Sequence, residues 1–337
     1  MKTAVINNDK IEIKDYEKPS LKDYGKGAVV KVFGSGLCGS DIIKYLHKQN
    51  GIVLGHEIVG EIIEIDSDTD FKFGDTVVMG HHIPCYECNY CKGESYSMCK
   101  QFKSTNIKPG GFAEYIFASE LHLKNTAHKI PDNLSFIEAS FMEPLGCCVR
   151  AVERACLTKN STVAVIGLGS IGLLMGQAIK AYGHKVIGID LIQERLNLAK
   201  GFGFDYALKY TNEEEIKETI LKLTEIGVDA VFLTAGAKSS VLTAKNCVRN
   251  GGTILVFSSI SDDEIGFSNN DIYYRELKVL STYSATPETL SKSLNLLKEK
   301  KVVVDNLTTE YDLNDLQKAI NDTLSNKIMK AYIRISE

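Results

Sequence analysis

A chain of 337 residues exceeds the range over which one hydrophobic core keeps growing, so two domains are expected. With 44% hydrophobic and 24% charged residues, a net charge of −4 and no dense basic run, the composition is that of an ordinary globular protein. It gives no electrostatic case for nucleic acid or an anionic membrane as partner. Nine cysteines, an odd number, argue against a complete disulfide framework and raise metal or redox roles.

The first segment, MKTAVINNDKIEIKDYEKP, alternates apolar and polar residues up to Pro19 and reads as strands, without the apolar run of a signal peptide. No stretch approaches the ~18 to 20 apolar residues of a membrane span, and a cytoplasmic location is expected. Up to about residue 145 the chain offers short β segments broken by Gly, Pro and Asp: GAVVKVFG, EIVGEIIEID, FGDTVVMG and GGFAEYIFA. Regular turns between short strands predict a compact, barrel-like or irregular β domain.

The stretch SFIEASFMEPLGCCVRAVERACL then carries helical spacing, and from Ser161 apolar strands alternate with helices. STVAVIG precedes SIGLLMGQAIKAYG, KVIGID precedes QERLNLAKGFG, and VDAVFLTAG and GGTILVFSS follow. This alternation predicts an α/β fold with a doubly wound parallel sheet.

VAVIGLGSIG places Gly167, Gly169 and Gly172 as G-x-G-x-x-G between a buried strand and a helix, with Leu168, Ser170 and Ile171 completing the loop. The first glycine permits a tight turn, the second a close approach to pyrophosphate, and the third close packing of helix on strand. The helix start offers free N–H groups and a partial positive charge to the phosphates. The next strand ends in Asp190, eighteen residues after Gly172, with Arg195 close behind. An acid there accepts bonds from a ribose 2′-hydroxyl and repels a 2′-phosphate, which favours NAD over NADP.

PCYECNYCKGESYSMCK holds Cys85, Cys88, Cys91 and Cys99 with the spacing C-x2-C-x2-C-x7-C. Four thiolates so spaced can close a tetrahedral zinc cage. An iron–sulfur cluster is the nearest rival, but its usual last interval is three residues followed by Cys-Pro; a disulfide pair is disfavoured in a reducing compartment. A four-thiolate zinc is coordinatively closed, so it fastens a loop and leaves the chemistry to a second, open site. GLCGSD with Cys38, LGHEIVGE with His56 and Glu57, and FMEPLG with Glu143 supply candidates for that site. Spacing alone does not group them.

GLCGSD, GHEIVGEIIEID, FGDTVV, the four-cysteine run and VAVIGLGSIG occur in order at familiar separations. Over nearly its whole length the chain resembles the zinc-dependent medium-chain dehydrogenase/reductase superfamily. MEPLGCCVRAV looks like the polyol (sorbitol-type) and threonine dehydrogenase branch. The resemblance implies a GroES-like catalytic domain over 1–149 with a structural-zinc lobe at about 81–103. It further implies a Rossmann NAD-binding domain over 150–285, and a segment over 286–337 that returns to the first domain. It assigns Cys38, His56 and Glu143 to a catalytic zinc, with Glu57 as a ligand or a supporting acid. Cys85, Cys88, Cys91 and Cys99 fall to a structural zinc, and Ser40 to substrate binding and proton relay.

The activity implied is interconversion of a secondary alcohol and its ketone with NAD. A polyol, sugar or cyclitol is the first expectation and a threonine-like amino alcohol the second. A homodimer or homotetramer is implied as well. A zinc-free reductase or a non-catalytic homologue is the reading from another class. Three departures stand out. Ile43 occupies the place of a relay histidine, with His47 one turn on. Ser284 occupies the place of an arginine found in sorbitol-type relatives. His81 and His82, which precede the zinc lobe, divide between a site role and loop packing. Cys147, Cys148, Cys156 and Cys247 are expected to be small packing residues.

Overall fold

The computed structural model describes residues 1–258 and 266–336. The chain divides into two compact units. One is Met1–Gly146 with Ala285–Lys300 and Val304–Glu337; the other is Cys147–Ser284 with Lys301–Val303.

The second unit carries a six-stranded sheet. From edge to edge it runs Tyr206–Lys209, Lys185–Asp190, Thr162–Ile166, Val228–Leu233, Val248–Val256 and Lys278–Ser281. Every pairing is parallel. In chain order this is 3-2-1-4-5-6, the doubly wound arrangement in which the order reverses beside the first strand. The central strands are apolar on both faces because helices cover both: Val163, Val165, Val231 and Phe232 are wholly buried.

The first unit opens with a hairpin, Lys2–Asn7 against Lys10–Asp15. Its main sheet runs Thr308–Asp312, Lys330–Arg334, Gly27–Gly36, Glu57–Asp66, Thr76–Met79 and Ala127–Lys129, with Tyr115–Ser119 also paired to Gly27–Gly36. All pairings are antiparallel except that of Thr308–Asp312 with Lys330–Arg334. Alternation along these strands turns Val30, Val32, Ile58, Ile62, Val77 and Ile116 into one apolar cluster. The last strand therefore docks on an early one: Tyr332 pairs with Gly36 on one side while Glu57 pairs with Gly36 on the other.

The helical stretch at 135–157 contains two helices, Phe136–Ser140 and Met142–Arg154. Pro144 has no N–H to give the Ser140 carbonyl, so the helical ladder cannot run through. Among the described residues no helix is long and apolar enough to cross a membrane.

Candidate active site

Cys38 caps the helix Gly39–Leu46, and the third residue of that helix, Asp41, reaches back so that Oδ2 accepts from the Cys38 N–H at 3.2 Å. Ile42 and Tyr45 bury the inner face of the helix, while Ile43 faces out. Asp41 is fully buried; its Oδ1 also accepts from the Gly55 N–H at 3.2 Å and lies 3.4 Å from His56 Nδ1. A carboxylate on Nδ1 fixes the ring and leaves Nε2 to face a metal. Burial opposes charge on both partners. Even so, His56 holds the Asp41 carboxyl below its usual value. Asp41 and Cys38 in turn raise His56 well above the usual imidazole value.

Glu57 follows His56 and turns to the C-terminal strand. Its Oε1 accepts from Lys330 Nζ at 2.9 Å, and its Oε2 lies 2.6 Å from the same ammonium without a well-aligned donor. Gly36 makes the pair possible, because a Cβ there would fall 1.9 Å from Glu57 Oε2. Burial works against the Lys330 ammonium, but Glu57, Cys38 and Glu143 hold its pKa above the ordinary lysine value.

Two overlapping donor sets meet at His56. Ligand atoms of Cys38, His56 and Glu57 lie within 4.8 Å of one another, and so do those of His56, His81 and Glu143. Each set mixes an imidazole with a carboxylate, one adding a thiolate and the other a second imidazole, donors that suit zinc with ligand distances of about 2.0–2.3 Å; the two sets share only His56, and Cys38 and Glu143 belong to different ones. Ser40 is exposed on the second residue of the capped helix, and His47 is the residue that closes that helix. The adjacent histidine rings touch, with centroids 3.8 Å apart, but their outer neighbours differ. The His81 ring stands 4.5 Å from that of His56, whereas His82 turns to the zinc lobe, with Nδ1 2.8 Å from the Thr105 carbonyl oxygen and its ring against Phe102. Burial lowers both, His81 well below the usual imidazole value and His82 to about 4.

In the lobe, Cys85 Sγ lies 3.8 Å and Cys88 Sγ 3.6 Å from Cys91 Sγ. A tetrahedral zinc with Zn–S of about 2.3 Å requires sulfur separations of about 3.8 Å. All four ligand atoms, that of Cys99 included, lie within 4.8 Å of one another. Backbone N–H groups of Cys88 and Cys85 donate to the sulfurs of Cys85 and Cys99 at 3.3 and 3.4 Å, as they would to thiolates. Of the remaining cysteines, Cys148 and Cys247 are buried and Cys147 half-buried, but Cys156 is exposed, so packing does not account for it.

In the second unit Gly167 adopts φ +94, and a Cβ on Gly172 would lie 1.9 Å from its carbonyl oxygen. Gly169 faces open space and caps the helix Ser170–Ala181 without a side chain, so a phosphate can approach its first N–H groups. Leu168 turns its side chain inward, and Ser170 and Ile171 are half-exposed. Asp190 Oδ2 accepts from the Leu168 N–H at 2.6 Å and Oδ1 from the Ile192 N–H at 2.8 Å, while Arg195 Nη1 stands 3.6 Å from Oδ2. Ser284 has φ +66, and its carbonyl accepts from Arg150 at 3.1 Å.

Sequence reasoning missed Asp41 and Lys330. Asp41 had a local signal, an acid three residues after a helix-capping position, but that signal announces a cap as readily as a histidine partner. Lys330 had none.

Residues 25–132 match the alcohol dehydrogenase GroES-like domain and residues 170–299 the zinc-binding dehydrogenase family. The chain is 33% identical to sorbitol dehydrogenase of Halalkalibacterium halodurans over 94% of both chains. It is 31% identical to sorbitol dehydrogenase of Bacillus subtilis over 99% of this chain and 97% of that one. Galactitol-1-phosphate dehydrogenase from Escherichia coli has the same fold with a TM-score of 0.86 and 25% identity, over 99% of this chain and 100% of that one. The chain belongs to the zinc-dependent medium-chain dehydrogenase/reductase superfamily, in its polyol dehydrogenase branch.

Proposed function

We propose that the chain oxidises a secondary alcohol of a polyol, sugar or cyclitol to the ketone, or reduces the ketone, using NAD and two zinc ions per chain. The observation that carries this reading is the donor group around His56, with Asp41 fixing the ring from behind. The names of the relatives support a substrate with several hydroxyls.

Cys38, His56 and Glu143 would hold the catalytic zinc, and Cys85, Cys88, Cys91 and Cys99 the structural one. When bound, zinc would supply Lewis acidity for the alcohol oxygen and the nicotinamide would supply the hydride acceptor. The Ser40 hydroxyl accepts the alcohol proton and passes it to water, which shortens the relay where Ile43 replaces a histidine. Glu57 stays with Lys330 and shapes the charge of the centre from outside. Gly167 to Gly172 cradle the pyrophosphate, with Leu168, Ser170 and Ile171 offering backbone N–H groups. Asp190 receives the ribose hydroxyls and selects NAD. A homo-oligomer formed through the edge strand Lys278–Ser281, acting in a reducing cytoplasm where nine cysteines remain without disulfides, completes the reading.

The test is zinc per chain, by elemental analysis, for the native protein and Cys38→Ser, followed by a polyol and polyol-phosphate panel with NAD and NADP. Two zincs falling to one, with NADH formed from a polyol, is the expected result. One zinc in both proteins, or NAD binding without turnover of any alcohol, would overturn it.

A further inference from the structure

We propose that His81 is a further protein ligand of the catalytic metal, sharing it with His56 and Glu143. The proposal rests on the reading that His56 holds a metal. Ligand atoms of His56, His81 and Glu143 already lie within 4.8 Å of one another. Zinc ligands at about 2.0 Å in a tetrahedral arrangement stand about 3.3 Å apart, so modest side-chain movement brings the three onto one ion. The His56 and His81 rings are tilted by 48° rather than stacked.

A second observation points the same way. His81 Nδ1 is buried without a hydrogen-bond partner. A buried polar atom left unpaired costs about 1–3 kcal/mol, and such atoms call for an explanation. The backbone that carries the ring is also held in place. His122 Nε2 lies 3.2 Å from the His81 carbonyl oxygen, and the next two residues are tied to Thr105 through His82 Nδ1 at 2.8 Å and the Ile83 N–H at 2.9 Å. The strand Thr76–Met79 on one side and the four-cysteine lobe on the other thus set where His81 stands. With Cys38, His56 and Glu143 it would give the centre four protein donors, and an alcohol would have to share the ion with them or take the place of His81.

The experiment uses the full-length holoenzyme with cobalt in the catalytic centre. X-ray absorption of the native protein should count two imidazoles at the cobalt; a count of one would overturn the proposal. His81→Ala and His81→Asn, folded by circular dichroism, should give up the catalytic metal to a chelator well over ~100-fold more readily than the native protein, above the cost of about 10–100-fold for losing an outer partner, while keeping the structural zinc. They should also change the visible cobalt bands. Unchanged bands and retention would overturn the proposal even if activity fell. Cys38→Ser separates the two readings: if neither it nor His56→Ala lowers the metal content, no metal is held at His56 and both readings fall together.

Discussion

Lys330 Nζ lies 2.6 Å from Glu57 Oε2 inside the protein, joining residues 273 apart in the chain through two strands that flank Gly36. A buried ion pair adds little over an apolar pair of the same shape, but removing one partner leaves an uncompensated charge and costs about 3–5 kcal/mol. Lys330→Met is therefore expected to lose about that much stability in chemical denaturation. Lys330→Met with Glu57→Gln should recover part of it. Equal loss in the single and double variants would show that the lysine stem, not the charge, does the stabilising.

Asp41 Oδ1 lies 3.4 Å from His56 Nδ1 and, on the proposed reading, holds the ring without itself binding the metal. Asp41→Asn keeps the shape and weakens the hold on Nδ1, while its amide can still accept from the Cys38 or Gly55 N–H. Metal affinity measured by chelator competition is expected to fall about 10–100-fold, with kcat/KM following. A fall in stability with unchanged metal affinity would make Asp41 a helix cap alone.

The parts of the protein that were legible in the sequence are those whose signal is local. The parallel sheet shows in strands apolar on both faces. The turn at Gly167, the acid at Asp190 and the four cysteines lie within short windows, and their spacing points directly to the chemistry proposed for them. The rest depends on non-local pairing. Nothing near Lys330 announces that register will lay it beside Glu57. His81 and His82 sit in a segment without period, so no pattern says which ring turns to His56 and which to Thr105. The break between Phe136–Ser140 and Met142–Arg154 was legible in principle through Pro144, but apolar spacing runs on past it.

On the proposed reading, Asp190 and Arg195 set the nucleotide preference between them. Asp190→Asn removes the charge that repels a 2′-phosphate and releases Arg195, 3.6 Å away, to meet one. A lost charge-assisted bond is worth about 1.5–3 kcal/mol. The ratio of kcat/KM for NAD over NADP is thus expected to fall by about 10–100-fold. Because Asp190 also accepts from the Leu168 N–H, some loss with both nucleotides should accompany the shift. A loss of equal size for both would mean that Asp190 only shapes the loop.

Asp271 gives the second unit a dependence on acid. Burial raises its carboxyl pKa, but Lys245 at 2.7 Å and the Ser268 N–H and hydroxyl at 2.9 and 2.8 Å outweigh that and lower it from 3.8 to about 2, with Arg275 3.6 Å away. A folded-state pKa below the unfolded one stabilises the fold above the unfolded value. That stability is lost as pH falls from about 4 through about 2. A shift of this size corresponds to about 2 kcal/mol at neutral pH. Asp271→Asn should cost about that much at pH 7, and the gap to the native protein should close as the pH is taken down to 2. Denaturant titrations at several pH values check the sign; a gap that stays constant with pH would assign the loss to the Ser268 hydrogen bonds rather than to the charge.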